Sequence, residues 1–473
     1  MHIDLTKLTI ETAHEHLMKG DFTAVELAKA YLDEIGKKNK ELNAYLEVFD
    51  DVLEQAALAD TKIKEGKAQM LTGIPLGVKD NILIKGRHAS AASKILEGYV
   101  ASYDATAIQK LKEAGAVFLG RTNMDEFAMG SSTETSAYGI SKNPLDPTRV
   151  PGGSSGGSAV VVASHMALAA LGSDTAGSVR QPASFCGVVG FKPTYGGVSR
   201  HGLMAMGSSL DVIGTITKNI SDARHLFSVI KGRDALDSTS IDIDMKSSKK
   251  RSGPLRVGVP KGFVGEGVDA DVLENFKQSL ERLKKNGAEI KEIELTLLPY
   301  SLPVYYTIIP AEVSTNLARF DGVKYGAYES GDTLLADYFK TRARFGPEAR
   351  RRIFLGAYVL SAGYADAYYR KAITVREMVR KEMFGAFEGE QGVDIIATPT
   401  VPTPAFKIGE KIADPISMYL ADIFTVIANI AGIPAISIPS GFVERDGVQL
   451  PLGLQFMAPA GGEQLFFEIE KYL

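Results

Sequence analysis

The stretch that decides the fold runs from Pro151 to Arg180 and reads PGGSSGGSAVVVASHMALAALGSDTAGSVR. Two clusters rich in glycine and serine, 152–158 and 174–178, lie on either side of an apolar segment, 159–171. A flexible glycine–serine linker would join two separate cores and would be polar on both sides. Here the clusters flank an element of buried character, so their glycines predict close backbone packing or exposed amide N–H groups. This composition suits a site for an anion or an oxyanion.

The overall composition is ordinary for a globular chain, since 45% of the 473 residues are hydrophobic and 23% are charged. The net charge of −4 lacks the basic excess that is typical of nucleic-acid-binding proteins. The single cysteine, Cys186, excludes an intrachain disulfide and favours a reducing compartment. Its apolar neighbours, in ASFCGVVGF, predict a buried structural thiol.

The first residues, MHIDLTKLTIETAHEH, lack the basic region and apolar run of a signal peptide. No segment approaches the roughly 20 consecutive apolar residues that a membrane-spanning helix needs. We therefore expect a cytoplasmic protein that makes no contact with a membrane.

Helical and strand patterns alternate along the chain. Helices are predicted at 9–19, 24–39, 52–64, 105–114, 123–129, 221–230, 270–286, 348–380 and 416–431. Strands are predicted at 43–49, 74–78, 116–120, 188–191, 255–259, 288–295, 394–398, 435–439 and 450–457. This alternation predicts an α/β fold, with a large mixed, twisted sheet covered by helices on both faces. Such sheets bind ligands where strands end and helices begin, and both serine clusters occupy positions of that kind.

We expect one domain over residues 1–473. The polar, aromatic-free run 232–253 predicts a mobile surface loop and not a domain boundary, because the α/β alternation resumes directly after it. Residues 301–386 are mainly helical in pattern and are predicted to form an insertion.

Three kinds of site are not supported by the motifs present. No lysine follows the glycines of 152–158, as a phosphate-binding P-loop requires. The seven histidines lie in no recognisable motif, and AGSVR around Ser178 does not match the G-x-S-x-G nucleophile elbow. No H-E-x-x-H or cysteine–histidine spacing indicates a metal site.

A serine nucleophile activated by a lysine remains. Lys79 ends the apolar strand 74–78, and a neutral lysine amine accepts a proton when burial lowers its pKa. Ser178 follows residues with little side-chain bulk, so its hydroxyl would lie beside nearby backbone N–H groups. Those of Thr175, Ala176, Gly177 and Ser178 are the candidate oxyanion hole. The alternative for Lys79 is a strand-end lysine that extends into water.

Together these segments resemble the amidase signature family. The strings that carry the resemblance are GIPLGVKDN (73–81), GGSSGGSAVVVAS (152–164) and LGSDTAGSVRQPASFCGVVGFKPTYG (171–196). The resemblance covers most of the chain and implies the amidase-signature fold with a catalytic triad of Lys79, Ser154 and Ser178. It implies that Ser178 is the nucleophile and that Ser154, on a cis peptide bond, relays the proton to Lys79.

Three further strings are similar to one branch of that family, the glutaminase subunits of bacterial amidotransferases that act on misacylated tRNA. They are NMDEFAMGSSTE (123–134), SRHGLMAMGSSLDVIG (199–214) and RRIFLGAYVLSAGY (351–364). The branch implies hydrolysis of the glutamine side-chain amide and transfer of the ammonia to a partner subunit. It also implies that the partners are the B and C subunits, that tRNA binds mainly to the B subunit, that ATP and Mg act at the partner, and that this chain has no cofactor.

The same branch implies that the substrate-binding residues are Arg352, Asp422, Tyr306, Gly130 and Ser131. An arginine that binds the α-carboxylate and an aspartate that pairs with the α-ammonium suit an amino-acid substrate. The alternatives are an ordinary helical ion pair for Arg352 and a helix-surface acid for Asp422.

The chain departs from the family pattern at two positions. Ala176 stands where the first of two glycines is usual, and it preserves the N–H of the oxyanion hole if its φ is negative. Gly197 stands where an arginine is common in the branch, which bears on a peripheral contact. Two other functions remain open: a stand-alone amidase that acts on another carboxamide, and a catalytically silent scaffold subunit.

Overall fold

The computed structural model describes residues 3–245, 253–412 and 414–473. Within these ranges the strands are β1 (Tyr45–Val48), β2 (Pro75–Lys79), β3 (Val117–Thr122), β4 (Ala169–Asp174), β5 (Val189–Lys192), β6 (Val212–Thr217), β7 (Arg256–Pro260), β8 (Glu289–Ile293), β9 (Ile395–Pro399), β10 (Ala435–Arg445) and β11 (Val448–Met457). The α-helices are α1 (Ile10–Lys19), α2 (Ala24–Leu42), α3 (Val52–Lys64), α4 (Thr106–Glu113), α5 (Gly156–Ala163), α6 (Arg180–Cys186), α7 (Ile220–Ile230), α8 (Ala270–Lys285), α9 (Ser301–Asn316), α10 (Leu334–Arg342), α11 (Pro347–Val359), α12 (Lys371–Ala386), α13 (Pro415–Tyr419), α14 (Val426–Ala431) and α15 (Gln464–Glu468). A π-helix, Ala365–Arg370, precedes α12.

The strands of the described ranges form one 11-stranded sheet with the order β1-β3-β2-β4-β6-β5-β10-β11-β9-β7-β8. Strand β2 pairs in parallel with β3 and β4, and β7 pairs in parallel with β8 and β9. The other neighbouring strands are antiparallel. The sheet is therefore mixed, which confirms the predicted fold class.

Both faces of the sheet are covered by helices, as β9 demonstrates. Ile395 and Ala397 belong to a buried cluster that includes side chains of α1, α2, α5 and α7. Ile396, between them, belongs to a second cluster with side chains of α9, α12 and α14. Since successive strand residues point to opposite faces, the two helix groups pack on opposite sides of the sheet.

The helix boundaries at the start of the chain follow local capping signals. Thr23 and Glu26 form a capping box, in which the Glu26 N–H donates to Thr23 Oγ1 and the Thr23 N–H donates to the Glu26 carboxylate. Gly20 ends α1 with a φ of 75°, a backbone conformation that glycine adopts without steric cost.

Four stretches differ from the predicted elements. The predicted helix 123–129 contains only a 3₁₀ turn, Glu126–Ala128, in which Phe127 has a φ of 47°. The segment 159–171 contains the end of α5 and the start of β4, joined by a turn at which His165 has a φ of 61°. The predicted helix 416–431 is broken into α13, a 3₁₀ turn at Leu420–Asp422, and α14. The predicted helix 348–380 is interrupted after α11, where Gly363 adopts a φ of 84°. Helix α6 and strand β6 were not predicted.

The mainly helical stretch 301–386 contains α9 to α12 and lies between β8 and β9 along the chain. Of the predicted mobile loop 232–253, residues 246–252 lie outside the described residues. In the described part, Asp237 pairs with Arg200 at 3.0 Å and Ile243 is buried. The mobility of this loop and the single-domain organisation stay predictions.

Candidate active site

The site lies where two parallel strands end at the same edge of the sheet. Val78 of β2 pairs with Leu171 of β4, and Lys79 is the last residue of β2. Helix α5 begins at Gly156, within the first serine cluster, and α6 begins at Arg180, shortly after the second. Because the carboxyl ends of parallel strands lie at the same edge of the sheet, Lys79 contacts Ser154 and Ser155 of the first cluster and Ser173, which directly precedes the second.

Lys79 is fully buried, so the alternative of a solvated strand-end lysine is wrong. Its Nζ lies 2.7 Å from Ser154 Oγ, 2.8 Å from Ser155 Oγ and 2.9 Å from Ser173 Oγ. A neutral amine has two donors and one lone pair. It can therefore accept a proton from one of these hydroxyls while it donates to the others.

Burial lowers the pKa of Lys79 to about 7, because removal from water disfavours the charged ammonium. The buried carboxylates of Asp125, Asp174 and Asp211 oppose this shift. The neutral form is thus accessible near pH 7, as a general base requires.

The two candidate catalytic serines lie on adjoining loops. The Gly153–Ser154 peptide bond is cis, as the family resemblance implied. The main-chain carbonyl of Ser178 accepts a hydrogen bond of 3.0 Å from the Ser155 N–H, which ties the second cluster to the first. Within the described chain, no hydrogen bond joins the hydroxyls of Ser154 and Ser178. Ser178 is 7% exposed, whereas Ser154 is fully buried.

A buried ion pair shapes the loop that carries Ser178. The Asp174 carboxylate accepts hydrogen bonds from Arg180 Nη2 at 2.8 Å and from the N–H groups of Gly177 and Val179 at 2.9 and 3.1 Å. Burial alone would raise the pKa of Asp174, but Arg180 lowers it to about 2. Both side chains are fully buried, so each charge depends on the other for compensation.

This arrangement corrects one part of the predicted oxyanion hole. The Gly177 N–H already donates to Asp174 and is not available to a substrate oxygen. The predicted donors that remain are Thr175, Ala176 and Ser178. Ala176 is not among the described residues with positive φ, so the departure from glycine preserves its N–H.

Gly197, the second departure, lies in a tight turn. Its N–H donates to the Thr194 carbonyl at 2.8 Å. A Cβ at this position would lie 3.0 Å from that carbonyl oxygen and 3.3 Å from Ile243 Cγ1. An arginine here would therefore require its neighbours to move slightly.

Asp125 joins the loop of Gly130 and Ser131 to the first serine cluster. Its carboxylate accepts hydrogen bonds from the N–H groups of Ser132 and Thr133 at 3.2 and 2.9 Å. A Cβ at Gly130 would lie 2.3 Å from Asp125 Oδ1, and one at Gly153 would lie 2.1 Å from Oδ2. Both glycines are thus required for the backbone to approach this carboxylate.

Asp422 is buried beside the loop that carries Ser178, so the alternative of a helix-surface acid is wrong. Its carboxylate accepts hydrogen bonds from the Tyr306 hydroxyl at 2.9 Å and from Ser131 Oγ at 3.3 Å. Burial raises the pKa of Asp422 to about 7. Thr425 Oγ1 lies 3.3 Å from the Asp422 carbonyl and 2.6 Å from the Ala176 carbonyl, and it connects the two segments.

Arg352 does make a helical ion pair, but in a buried setting. Its side chain is 5% exposed, and its Nε donates to Glu348 Oε1 at 2.8 Å. The guanidinium carbon lies 5.6 Å from the ring centroids of both Tyr306 and Tyr419. The guanidinium is therefore held between a carboxylate and two aromatic rings.

A cavity of about 460 Å³ is lined by Gly130, Ser131 and Arg352, three of the five predicted substrate-binding residues. The other two, Tyr306 and Asp422, contact that set directly through hydrogen bonds and ring contacts. The buried cation of Arg352 thus lies on the cavity wall, and the buried carboxylate of Asp422 is bonded to Ser131 of that wall.

Several residues of the site were missed at the level of sequence. Gln181 Oε1 accepts a hydrogen bond from the Gly153 N–H at 2.8 Å, while its Nε2 donates to the Ser131 carbonyl at 2.9 Å. Asp174 and Arg180 lie six residues apart in the stretch 151–180. This spacing of an acidic and a basic residue was the signal for their ion pair in the sequence. Asp125 had no signal beyond its place in the predicted helix 123–129, directly before a polar turn.

Other features bear on the remaining predictions. Cys186 is buried and its thiol donates to the Pro151 carbonyl at 3.4 Å, which confirms the predicted burial. Residues 3–245, 253–412 and 414–473 contain no group of three or more His, Cys, Asp or Glu arranged to hold a metal ion. Over the same ranges, no helix is long and apolar enough to cross a membrane.

Comparison with known proteins shows the family of this chain. The family model described as Amidase matches residues 26–467. A solved structure of the A subunit of glutamyl-tRNA(Gln) amidotransferase from Thermotoga maritima is 40% identical, with a TM-score of 0.80, and the match covers 98% of this chain and 94% of that one. This chain therefore belongs to the amidase family.

Within that family, two curated relatives of similar length carry the same name. The A subunit of glutamyl-tRNA(Gln) amidotransferase from Gloeothece citriformis is 48% identical over 468 residues, which cover 98% of this chain and 96% of the relative. The protein of the same name from Clostridium botulinum is 48% identical over 476 residues, which cover 99% and 96%. The similarity thus extends over nearly the whole length of both chains.

Proposed function

We propose that this chain is a glutaminase subunit. It hydrolyses the side-chain amide of glutamine and supplies ammonia to a partner subunit, which converts Glu-tRNA(Gln) to Gln-tRNA(Gln). Its partners are the B and C subunits of a heterotrimeric amidotransferase in the cytoplasm, and tRNA binds mainly to the B subunit. ATP and Mg act at the partner, and this chain needs no cofactor of its own.

One observation carries the proposal: two pairs of residues, Lys79 with Ser154 at 2.7 Å and Arg352 with Asp422, belong to one network of contacts. Gln181 bonds both the Gly153 N–H and the Ser131 carbonyl, Ser131 donates to Asp422, and Tyr306 contacts both Asp422 and Arg352. The first pair supports proton transfer during amide cleavage. The second pair supports recognition of an α-carboxylate and an α-ammonium, the two charges of free glutamine. The full-length similarity to glutamyl-tRNA(Gln) amidotransferase proteins points to the same substrate.

Acylation begins when Ser178 Oγ attacks the amide carbon of glutamine. The Ser178 proton passes to Ser154 Oγ, whose own proton passes to neutral Lys79 Nζ. Catalytic hydrogen bonds are often long before substrate binds, so the separate hydroxyls of the free site are compatible with this relay. The N–H groups of Thr175, Ala176 and Ser178 stabilise the tetrahedral oxyanion.

Collapse of this intermediate breaks the carbon–nitrogen bond, and the relay returns a proton to the departing nitrogen to form ammonia. The γ-glutamyl ester on Ser178 then reacts with water, which loses its proton to the same relay. Glutamate leaves and Ser178 regains its proton. The covalent intermediate divides one difficult hydrolysis into two easier steps.

The test is ammonia release from glutamine, asparagine and a simple aliphatic amide by the wild-type chain and by Ser178→Ala. Each protein is assayed alone and again with the B and C subunits, Glu-tRNA(Gln) and ATP. We expect release that is selective for glutamine, depends on Ser178 and increases in the complex. Wild-type ammonia release by Ser178→Ala would refute the assignment.

The two alternatives give different results in the same assay. A stand-alone amidase would hydrolyse the aliphatic amide and would be indifferent to the partner subunits. A catalytically silent scaffold would release no ammonia in any mixture. The buried Lys79–Ser154 contact argues against the scaffold, since such a lysine has a desolvation cost that a binding role alone does not need.

A further inference from the structure

Two residues that the proposed mechanism does not use, Glu348 and Tyr419, surround the side chain of Arg352. Glu348 Oε1 accepts hydrogen bonds from Arg352 Nε at 2.8 Å and from the Tyr419 hydroxyl at 2.9 Å. All three side chains line the 460 Å³ cavity. Glu348 is therefore the common acceptor that fixes the arginine and the tyrosine relative to each other.

Tyr419 also contacts Arg352 through its ring. The rings of Tyr419 and Tyr306 stack with centroids 4.0 Å apart and planes inclined by 22°, and the guanidinium carbon lies 5.6 Å from each centroid. Tyr306 in turn donates to Asp422 at 2.9 Å. A continuous chain of contacts thus connects the proposed carboxylate-binding residue with the proposed ammonium-binding residue.

We infer that Glu348 and Tyr419 are positioning residues that make the site specific for amides bearing an α-amino-acid group. The inference rests on the proposed function, because it assumes that Arg352 and Asp422 bind the two charges of the substrate. The α-carboxylate and α-ammonium have a fixed separation, so both residues must be held in place at once. A neutral amide contacts neither charge and is insensitive to this alignment.

Glu348 can position Arg352 because it accepts its hydrogen bond from Nε. The part of a guanidinium that contacts a carboxylate as a fork is its two terminal nitrogens, and a bond to Nε leaves these for the substrate. Glu348 also accepts a hydrogen bond from Arg351, so its carboxylate is fixed from both oxygens. The side chain of Glu348 is 11% exposed, which limits competition from water.

The experiment compares kcat and KM for glutamine and for a simple aliphatic amide in Tyr419→Phe, which removes the hydroxyl and preserves the ring. The matched control is Tyr368→Phe, whose ring is 46% exposed. We expect the ratio of kcat/KM for glutamine to that for the aliphatic amide to fall about tenfold in Tyr419→Phe, mainly through KM. Tyr368→Phe should leave the ratio unchanged. Glu348→Gln, which preserves an acceptor oxygen, should lose less than Glu348→Ala.

An unchanged ratio in Tyr419→Phe, with a wild-type chain that prefers glutamine, overturns this inference and leaves the proposed function intact. Equal losses on both amides indicate a purely structural role for Tyr419 and overturn it as well. A wild-type chain without any preference for glutamine refutes the proposed function, and this inference fails with it.

Discussion

The side-chain nitrogen of Lys79 lies 2.7 Å from the hydroxyl oxygen of Ser154, at the buried end of β2. In the proposed mechanism this pair transfers protons, which requires that the lysine is neutral. Burial lowers the pKa of Lys79 from 10.5 to about 7, so the amine is protonated below that pH and neutral above it.

We therefore predict that kcat/KM for glutamine rises with pH and reaches half its maximum near pH 7, as measured by ammonia release across a pH series. Lys79→Met should lower kcat by about 10²-fold to 10⁴-fold, the usual contribution of a general base. The exposed Lys64→Met is the matched control and should retain wild-type activity. A flat profile through neutral pH would contradict the role of Lys79.

Gly153→Ala should destabilise the fold and distort the site. The new Cβ would lie 2.1 Å from Asp125 Oδ2 and 2.8 Å from the Ser132 nitrogen, so backbone or carboxylate must move. We expect a loss of roughly 1–3 kcal/mol in the free energy of unfolding, measured by urea denaturation.

Gly36→Ala is the control for that substitution, because nothing lies within 4 Å of its Cβ position in α2. This change should stabilise the chain by up to about 1 kcal/mol through better helix propensity. Equal effects of the two substitutions would show that the loop of Gly153 tolerates side chains.

Asp174→Asn should destabilise the chain by about 3–5 kcal/mol, because it leaves Arg180 charged and unpaired in a fully buried position. The loss should appear in urea denaturation at pH 7. Asp366→Asn, at an exposed ion pair with Arg370, should leave the free energy of unfolding unchanged. Comparable stability of Asp174→Asn and wild type would mean that this ion pair does not hold the nucleophile loop.

Asp422→Asn should weaken the binding of glutamine selectively, because it removes the negative charge that we propose pairs with the α-ammonium. The pKa of Asp422 is raised to about 7, so the carboxylate is ionised above that pH and the difference from wild type should widen as pH increases. We expect the ratio of kcat/KM for glutamine to that for an aliphatic amide to fall at least about tenfold at roughly pH 8. A ratio equal to that of the wild type would show that Asp422 does not contribute to substrate recognition.

The sequence predicted the parts of the structure that depend on local pattern. Lys79 was assigned as a catalytic candidate because it ends an apolar strand, and Ser178 because it follows residues with little side-chain bulk. Most helices and strands were also predicted within a few residues, because periodicity and capping are local signals. Ser154 depended on the family resemblance, since nothing in its neighbourhood distinguishes it from Ser155.

The rest of the site depends on contacts between distant segments. Tyr419 and Glu348 are separated by 71 residues, and Gln181 and Ser131 by 50. Asp422 enters the site because the predicted helix 416–431 breaks at a 3₁₀ turn, which burial against Tyr306 favours over helical continuity. Periodicity does not report such packing, so Tyr419, Glu348 and Gln181 became visible only in the folded chain, whereas Ser131 and Asp422 depended on the family resemblance.

The central claim is that Ser178 forms a γ-glutamyl ester, and the most direct test is mass spectrometry of the chain quenched in acid during turnover of glutamine. Tryptic cleavage after Arg149 and Arg180 releases a peptide that contains both Ser154 and Ser178, and fragmentation locates the adduct within it. We predict a γ-glutamyl group on Ser178, absent from Ser178→Ala and present in the exposed control Ser361→Ala. An adduct on Ser154, or ammonia release at the wild-type rate by Ser178→Ala, would contradict the account.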